Sequence, residues 1–177
     1  MGRERGWGLL EMLLGVTAGG MLVAFALTLY MSSARKQAID EAQRDIGKLV
    51  ENLESGVGRI QSYHGLTAEN TVGRGLVPLE LLDGNTPRTR WGSLELGSAG
   101  PLHDGLRIEL AGIPADVCAE LVPALAPLAT EIRVGQQVVG RHYEVVVENI
   151  GACEEGGPLV LERFVLGVGM KAVWETW

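Results

Sequence analysis

Glu11 is a carboxylate placed inside a long apolar run. Residues 7–31 (WGLLEMLLGVTAGGMLVAFALTLYM) carry it as their one charged side chain and contain no proline. An acid at the centre of a bilayer costs about 2.5–3.5 kcal/mol, and less towards the edge. Glu11 is therefore either an acid with a partner or an acid near enough to water to need none, and its position alone leaves both alternatives open.

The two cysteines, Cys118 and Cys153, are the next residues with distinctive chemistry. They lie far apart, form no Cys-x-x-Cys motif and have no metal-ligand spacing. A distant pair in a domain beyond a membrane suggests one disulfide in an oxidising periplasm. Two reduced cysteines in a cytosolic core are the alternative.

Catalytic and nucleotide-binding motifs have little support in this chain. The three histidines, His64, His103 and His142, are scattered through loops or strand edges, without a His-Glu-x-x-His motif or a pair at metal-ligand spacing. Residues 167–172 (GVGMKA) fit a loose dinucleotide pattern but leave no room for a nucleotide-binding unit, so we interpret them as a turn. The net charge of −7 argues against a basic nucleic-acid-binding surface. We expect no enzymatic activity, no metal and no cofactor.

Residues 7–31 are long enough to cross a membrane as a helix. At 1.5 Å of rise per residue they span roughly 37 Å, more than the ~30 Å hydrocarbon core of a bilayer. The run exceeds the ~7–15-residue core of a secretory signal, and residues 32–36 (SSARK) after it supply no small-residue cleavage site. Arg3 and Arg5 before the run nearly balance Arg35 and Lys36 after it, so charge alone does not orient the span.

The helix is predicted to continue as an amphipathic segment over residues 32–62. Apolar residues recur there at spacings of three and four, which is typical of a helix with one buried face. A parallel coiled-coil dimer is the competing interpretation, although the spacing departs from strict heptads near Leu53 and Val57. The apolar positions are Ile39, Ala42, Ile46, Leu49, Val50, Leu53, Val57 and Ile60.

Beyond the helix the sequence predicts a loop region followed by a sheet. Residues 63–105 carry turn signals throughout, with a helical turn expected at 77–84 and a short strand at 91–96. Residues 106–177 predict strands at 106–110, 131–134, 137–139, 143–148 and 159–166. A helix begins at Pro114, and Pro123 and Pro127 are expected to end or interrupt it.

The residues around Glu11 resemble the class III signal of type IV pilins. Arg3 and Arg5 belong to a short basic leader, Gly6 precedes the aromatic Trp7, and Glu11 is the fifth residue after Gly6. The resemblance implies that residues 1–6 are a leader, that a prepilin peptidase cuts between Gly6 and Trp7, and that Trp7 is then N-methylated. It also implies that Glu11 pairs with an N-terminal amine of a neighbouring subunit and helps to set register, since an unpaired buried charge is expensive.

Two later segments are similar to the type IVb subgroup, most of all to major prepilins of the thin pili of conjugative plasmids. They are residues 75–92 and residues 113–121, where an isoleucine-proline turn precedes a cysteine on a short helix. The resemblance implies an α+β fold with a long N-terminal helix on an antiparallel sheet. It further implies that Cys118 pairs with Cys153 and that residues 118–153 form an exposed, disulfide-bounded region. The six-residue leader is shorter than is usual in this subgroup.

The sequence therefore predicts a structural prepilin that polymerises through its N-terminal helix. The resemblance implies three partners: further copies of the chain in a helical homopolymer, a prepilin peptidase and an assembly platform in the inner membrane. The chain is expected first as a single-pass inner-membrane protein with a periplasmic domain, and then in an extracellular pilus for adhesion, aggregation or mating-pair contact. A minor pilin or type II secretion pseudopilin is the first alternative. A signal-anchored monomeric periplasmic binding domain is the second.

Overall fold

The structure, a computed structural model, describes residues 5–57 and 62–164. Residues 1–4 of the predicted leader, the predicted helix end at 58–61 and the predicted turn at 167–172 lie outside these ranges. The chain divides into two compact units, residues 1–38 and residues 39–177. Its elements are α1 (Arg5–Val57), α2 (Ala68–Gly73), β1 (Leu82–Asp83), β2 (Thr86–Pro87), β3 (Leu94–Ala99), β4 (Gly105–Leu110), α3 (Ala115–Leu125), β5 (Glu131–Val134), β6 (Gln137–Arg141), β7 (Glu144–Val145), α4 (Ala152–Glu155) and β8 (Leu159–Phe164).

The main sheet of the second unit has six antiparallel strands in the order β3-β4-β8-β5-β6-β7. The last described strand, β8, therefore lies between β4 and β5 rather than at an edge. Ile108 faces Leu161 across β4 and β8, and Ile132 faces Leu161 from the other side. In this order β8 pairs with β4 on one side and with β5 on the other, so the end of the described chain links both halves of the sheet.

The C-terminal half of α1 packs on one face of this sheet, as the helical spacing predicts. Ile46, Leu49 and Leu53 are fully buried and share one apolar core with strand and α3 residues. The strand side chains on this face alternate with polar ones because successive residues of a strand point to opposite faces. The strand and α3 members of the core are Leu94, Leu96, Leu106, Ile108, Leu110, Ile132, Val134, Val139, Leu159, Leu161, Val117, Cys118, Leu121, Val122 and Leu125.

Arg163 joins three elements at the edge of this core. Its guanidinium forms an ion pair with Glu54 of α1, 109 residues away in sequence, and Nη1 donates to the Leu128 carbonyl oxygen at 3.1 Å. Burial raises the pKa of the nearby Tyr63 phenol. The negative charge of Glu54 raises this pKa further, and the positive charge of Arg163 lowers it. The contact ties the end of α1 to β8.

Several local predictions are confirmed. The helical turn expected at 77–84 is confirmed only at Leu79–Leu81, a 3₁₀ turn that follows Pro78, because Leu82–Asp83 form β1. The strand at 106–110 is β4, and the two strands expected around Gly135 are β5 and β6. The strand expected at 159–166 is β8 as far as Phe164, and its last two residues lie outside the described ranges.

The prediction that Pro123 ends or interrupts the helix was wrong. α3 runs through Pro123 to Leu125 and passes into a 3₁₀ turn at Ala126–Leu128. A proline inside a helix removes one backbone hydrogen bond and costs about 3 kcal/mol. Leu121, Val122 and Leu125 are fully buried, and their packing offsets that loss.

The prediction of a strand over residues 143–148 was also wrong, because the strand is much shorter. Of the expected residues only Glu144–Val145, which form β7, pair with β6, and a 3₁₀ turn follows at Val147–Asn149. The Asn149 side chain donates from Nδ2 to the Val138 carbonyl oxygen at 2.8 Å. This bond turns the chain back onto β6 and ends the strand early.

The region expected to be mostly loop holds a further helix and a displaced strand. Helix α2 was not predicted; Thr67 caps it by accepting the Asn70 N–H at 3.2 Å. The strand expected at 91–96 begins three residues later, as β3. Thr89 accounts for the shift, since its hydroxyl accepts the N–H groups of Trp91 and Gly92 and holds them in a turn.

Gly92 lies where two backbone segments nearly touch. A Cβ added at Gly92 would lie 2.3 Å from the Ala111 carbonyl oxygen. We predict that Gly92→Ala lowers the free energy of unfolding by about 1–3 kcal/mol, because the start of β3 and the end of β4 must move apart. Unfolding of the full chain in detergent micelles, followed by near-ultraviolet circular dichroism, measures the change.

Gly97 of β3 supplies the matched control. A Cβ added there meets no described atom within 4 Å. Gly97→Ala should leave stability unchanged or raise it slightly, because alanine reduces the freedom of the unfolded chain. Equal losses for the two variants would contradict the close approach at Gly92.

Candidate assembly surface

The N-terminal half of α1 exposes a continuous apolar surface. Its large apolar side chains between Met12 and Met31 are 55–76% exposed. Among the described residues, one helix is long and apolar enough to cross a membrane, and its most apolar window has a mean hydropathy of 2.0 with none of it buried. We call this the apolar surface of α1; its members are Met12, Leu13, Leu14, Val16, Met21, Leu22, Val23, Phe25, Leu27, Leu29, Tyr30 and Met31.

The apolar surface of α1 is large enough that its burial would be strongly favourable. Burying one large apolar side chain fully stabilises by roughly 1.5–3 kcal/mol. Contiguous exposed apolar patches of this extent mark sites that contact a membrane or another protein. The apolar surface of α1 is therefore suited to lipid or to other helices.

Hydroxyl groups within the same segment are satisfied by the helix itself. Thr17 donates to the carbonyl oxygens of Leu13 and Leu14 at 3.0 Å each. Thr28 donates to the Phe25 carbonyl oxygen at 2.8 Å. Because these hydroxyls need no water, they fit an apolar environment without an unpaired polar group.

Gly15, Gly19 and Gly20 have no packing role within the described chain. A Cβ at any of the three meets no described atom within 4 Å. Small residues in membrane helices allow a second backbone to come close. Their place in the apolar segment is compatible with close packing of another helix.

The residues predicted for cleavage and register lie at the start of α1. Gly6 and Trp7 fall in its first turn, and Glu11 lies one turn beyond Trp7 with an exposed side chain. Cleavage, methylation and the pairing of Glu11 stay predictions.

The structure joins Cys118 of α3 to Cys153 of α4 in a disulfide, the pairing that the pilin resemblance implies. Their Cα atoms lie 5.6 Å apart and both residues are buried. The bridge closes a segment that includes most of α3 and strands β5 to β7. His142 and Tyr143, both with positive φ, form the exposed β6–β7 turn of this segment.

The outer face of the six-stranded sheet is covered by charges of both signs. Short pairs run across β4, β8, β5 and β6, and hydrogen bonding to Glu131 raises the pKa of Arg133. The arginine side chains are 43–56% exposed, whereas the carboxylates of Glu131 and Glu162 are only 18% and 12% exposed. This face is therefore charged, with the arginines reaching solvent, and differs in kind from the apolar surface of α1. The pairs are Arg107–Glu109 at 2.9 Å, Arg107–Glu162 at 4.0 Å, Arg133–Glu131 at 2.5 Å, Arg133–Glu162 at 3.8 Å and Arg141–Glu131 at 3.5 Å.

The structure brings together two histidines, His64 and His103, that lie far apart in the sequence. The ring centroids of His64 and His103 lie 4.8 Å apart, and Ser98 Oγ lies 2.7 Å from Nδ1 of His103. Within the described residues no group of three or more His, Cys, Asp or Glu side chains could hold a metal ion. Spacing along the chain gave no signal for the pair, because its members are 39 positions apart and only the fold brings them together.

Comparison with known proteins identifies the fold. No protein-family model and no curated protein sequence matches the chain. A solved structure of similar fold is TcpA, a type IV pilin from Vibrio cholerae El Tor biotype. The TM-score is 0.50 and the identity 12%, and the match covers 72% of this chain and 98% of that chain. With its long N-terminal helix on an antiparallel sheet and its Cys118–Cys153 disulfide, this chain has the type IV pilin fold.

Proposed function

We propose that this chain is the structural subunit of a type IVb-like pilus. The observation that carries the proposal is the apolar surface of α1, left uncovered in a chain that has the type IV pilin fold. Before assembly this surface lies in the lipid of the inner membrane, with the sheet domain in the periplasm. After assembly it packs against the same surface of other copies and forms the core of the fibre.

Processing precedes assembly in this proposal. A prepilin peptidase cuts between Gly6 and Trp7, Trp7 is N-methylated, and an assembly platform in the inner membrane extracts the subunit. The role is structural and not enzymatic, and the pilus serves adhesion, aggregation or mating-pair contact. The exposed β6–β7 turn within the disulfide-bounded region supports an outward-facing contact role for residues 118–153.

The intact mass of the protein from its native host, with N-terminal sequencing of the same sample, tests the processing step. A chain that starts at Trp7 and carries one added methyl group is the expected result. A chain that retains residues 1–6, or one cut after residue 31, would contradict prepilin processing. The second outcome would leave a secreted domain and the first a membrane-anchored one.

Fractionation then distinguishes the roles that share this processing. Sheared extracellular fibres with this chain as the dominant component support a major pilin. Processed chain confined to the cell envelope supports the minor pilin or pseudopilin alternative. Both alternatives keep the apolar surface of α1 as the assembly surface, so only the location and abundance of the chain separate them.

Glu11 gives a sharper test of assembly. We predict that Glu11→Gln is processed at the native rate but forms at least tenfold fewer fibres. Removing one partner of a buried ion pair leaves the other charge uncompensated and costs about 3–5 kcal/mol. The measurement compares the amounts of cleaved chain in cells and in sheared fibres.

Glu51→Gln is the matched control for this experiment. Glu51 is an exposed carboxylate in the C-terminal half of the same helix. The control variant should be processed and assembled like the native chain. Native fibre yield from Glu11→Gln would show that Glu11 has no partner in the fibre.

A further inference from the structure

His64 and His103, which we call the histidine pair, come from two separate loops of the second unit. His64 follows the end of α1, and His103 lies in the turn between β3 and β4. Their ring centroids are 4.8 Å apart and their planes are perpendicular. The His64 side chain is exposed and that of His103 is half-buried, so solvent reaches the pair from one side.

The backbone holds His103 in place. Its φ of 54° is left-handed, a conformation that non-glycine residues adopt in a few per cent of cases. Its carbonyl oxygen accepts the Tyr63 N–H at 2.7 Å, which fixes the turn beside the residue that precedes His64. The proximity of the two rings therefore follows from a backbone contact and does not depend on the rings alone.

Ser98 orients the His103 ring. Its Oγ lies 2.7 Å from Nδ1, and in the tautomer where Nδ1–H donates to Ser98, Nε2 carries a free lone pair. Histidines that bind metals almost always donate their second ring N–H to an acceptor, usually a carboxylate, a backbone carbonyl or water, which fixes the tautomer and raises the basicity of the ligand. Ser98 thus has the role of an orienting partner.

We propose that the histidine pair binds a divalent transition-metal ion such as Cu²⁺, Ni²⁺ or Zn²⁺. A metal ion lies about 2.0–2.1 Å from a ligating imidazole nitrogen, and so about 3.2 Å from the ring centroid. Two centroids 4.8 Å apart then subtend roughly 100° at a shared ion. This angle lies between the 90° and 109° of octahedral and tetrahedral coordination. Because Ser98 holds the His103 ring, the exposed His64 ring has to turn towards the ion, but the two loops do not have to move apart.

The chemistry of the ligands sets the selectivity. Imidazole nitrogen suits copper, nickel and zinc, whereas Mg²⁺ and Ca²⁺ prefer oxygen ligands. Two protein ligands leave the remaining positions to water or to a donor from another molecule. Affinity among divalent ions should follow the general order in which Cu²⁺ binds more tightly than Ni²⁺ or Zn²⁺.

The site lies outside the apolar surface of α1 and does not depend on the proposed pilus function. The residues that form it, His64, Ser98 and His103, all belong to the second unit. Failure of the metal experiment would therefore leave the assembly proposal intact, and failure of the assembly proposal would leave the metal site intact.

Nuclear magnetic resonance of selectively labelled histidine tests the proposal. The chain has three histidines, so the full chain in detergent micelles gives three sets of ring signals, which single substitutions assign. Titration with Zn²⁺ should shift the signals of His64 and His103 along one saturation curve and leave His142 unchanged. The same concentrations of Mg²⁺ should shift none of the three.

Substitutions separate the site from incidental binding. His64→Gln, at an exposed position that should not affect folding, is expected to weaken Zn²⁺ binding at His103 by more than tenfold. His142→Gln is the matched control and should leave the titration unchanged. Ser98→Ala should weaken Zn²⁺ binding by about tenfold while both rings still respond, as is typical when an orienting partner of a metal ligand is lost.

Three results would overturn the proposal. One is the absence of any shift with Zn²⁺, and another is different saturation midpoints for His64 and His103. The third is a His64→Gln variant in which His103 still binds Zn²⁺ with native affinity.

Discussion

Leu49→Ala is expected to lower the free energy of unfolding by about 2–5 kcal/mol, which is the usual loss when a buried leucine is truncated. Leu49 is fully buried at the centre of the helical stripe, between Ile46 and Leu53, which are also fully buried. The truncation removes apolar contact and leaves a cavity between α1 and the sheet, where close packing allows only partial relaxation. Near-ultraviolet circular dichroism of the full chain in micelles, measured against denaturant, gives the change.

Leu79→Ala is the control for this measurement. Leu79 is 84% exposed, so its truncation should change the free energy of unfolding by less than about 0.5 kcal/mol. A loss of similar size in both variants, or a loss below 1 kcal/mol at Leu49, would mean that the C-terminal half of α1 contributes little to the domain. The interpretation of this half as part of the core would then fail.

The Leu49 stripe was predictable from sequence because its signal is local. Spacings of three and four residues place Ile39, Ile46, Leu49 and Leu53 on one helix face whatever the rest of the chain does. The structure buries all four. The alternation in β4 was predictable for the same reason, since each strand residue points to the face opposite its neighbour.

Features that depend on distant residues could not be predicted in this way. The position of β8 between β4 and β5 is set by pairing across the sheet, and nothing in its own residues specifies that neighbour. The effect of Pro123 was predicted wrongly because the local rule that proline ends a helix was applied to α3. There the burial of the helix outweighs the hydrogen bond that proline removes. The ion pair of Arg163 with Glu54 depends equally on the tertiary fold.

The two candidate sites differ in the same way: one is local in sequence, and the other depends on residues that are distant in sequence. The apolar surface of α1 is contiguous in sequence, so composition and length were enough to propose it. The members of the histidine pair are neighbours only in space, because a hydrogen bond from the Tyr63 N–H to the His103 carbonyl oxygen brings their loops together. A search for motifs along the chain finds the first kind of site and misses the second.

Loss of the disulfide is the second change with a large expected effect. Replacing both cysteines, as Cys118→Ala with Cys153→Ala, is expected to lower the free energy of unfolding by about 4 kcal/mol in the chain-entropy model for a loop of this length. The bridge spans 35 residues of sequence, and its main effect is to restrict the unfolded chain. Alanine is the suitable replacement because both sites are buried, and serine would add an unpaired hydroxyl to the core.

A reducing agent separates the effect of the bridge from that of the side chains. It should destabilise the native chain by nearly as much as the double substitution and should leave the double variant unchanged. Hydrogen exchange should accelerate more in residues 118–153 than in residues 39–57, since the bridge links α3 and α4 while α1 is held by the apolar core. Native stability under reducing conditions, or equal acceleration in both segments, would show that packing alone holds the disulfide-bounded region.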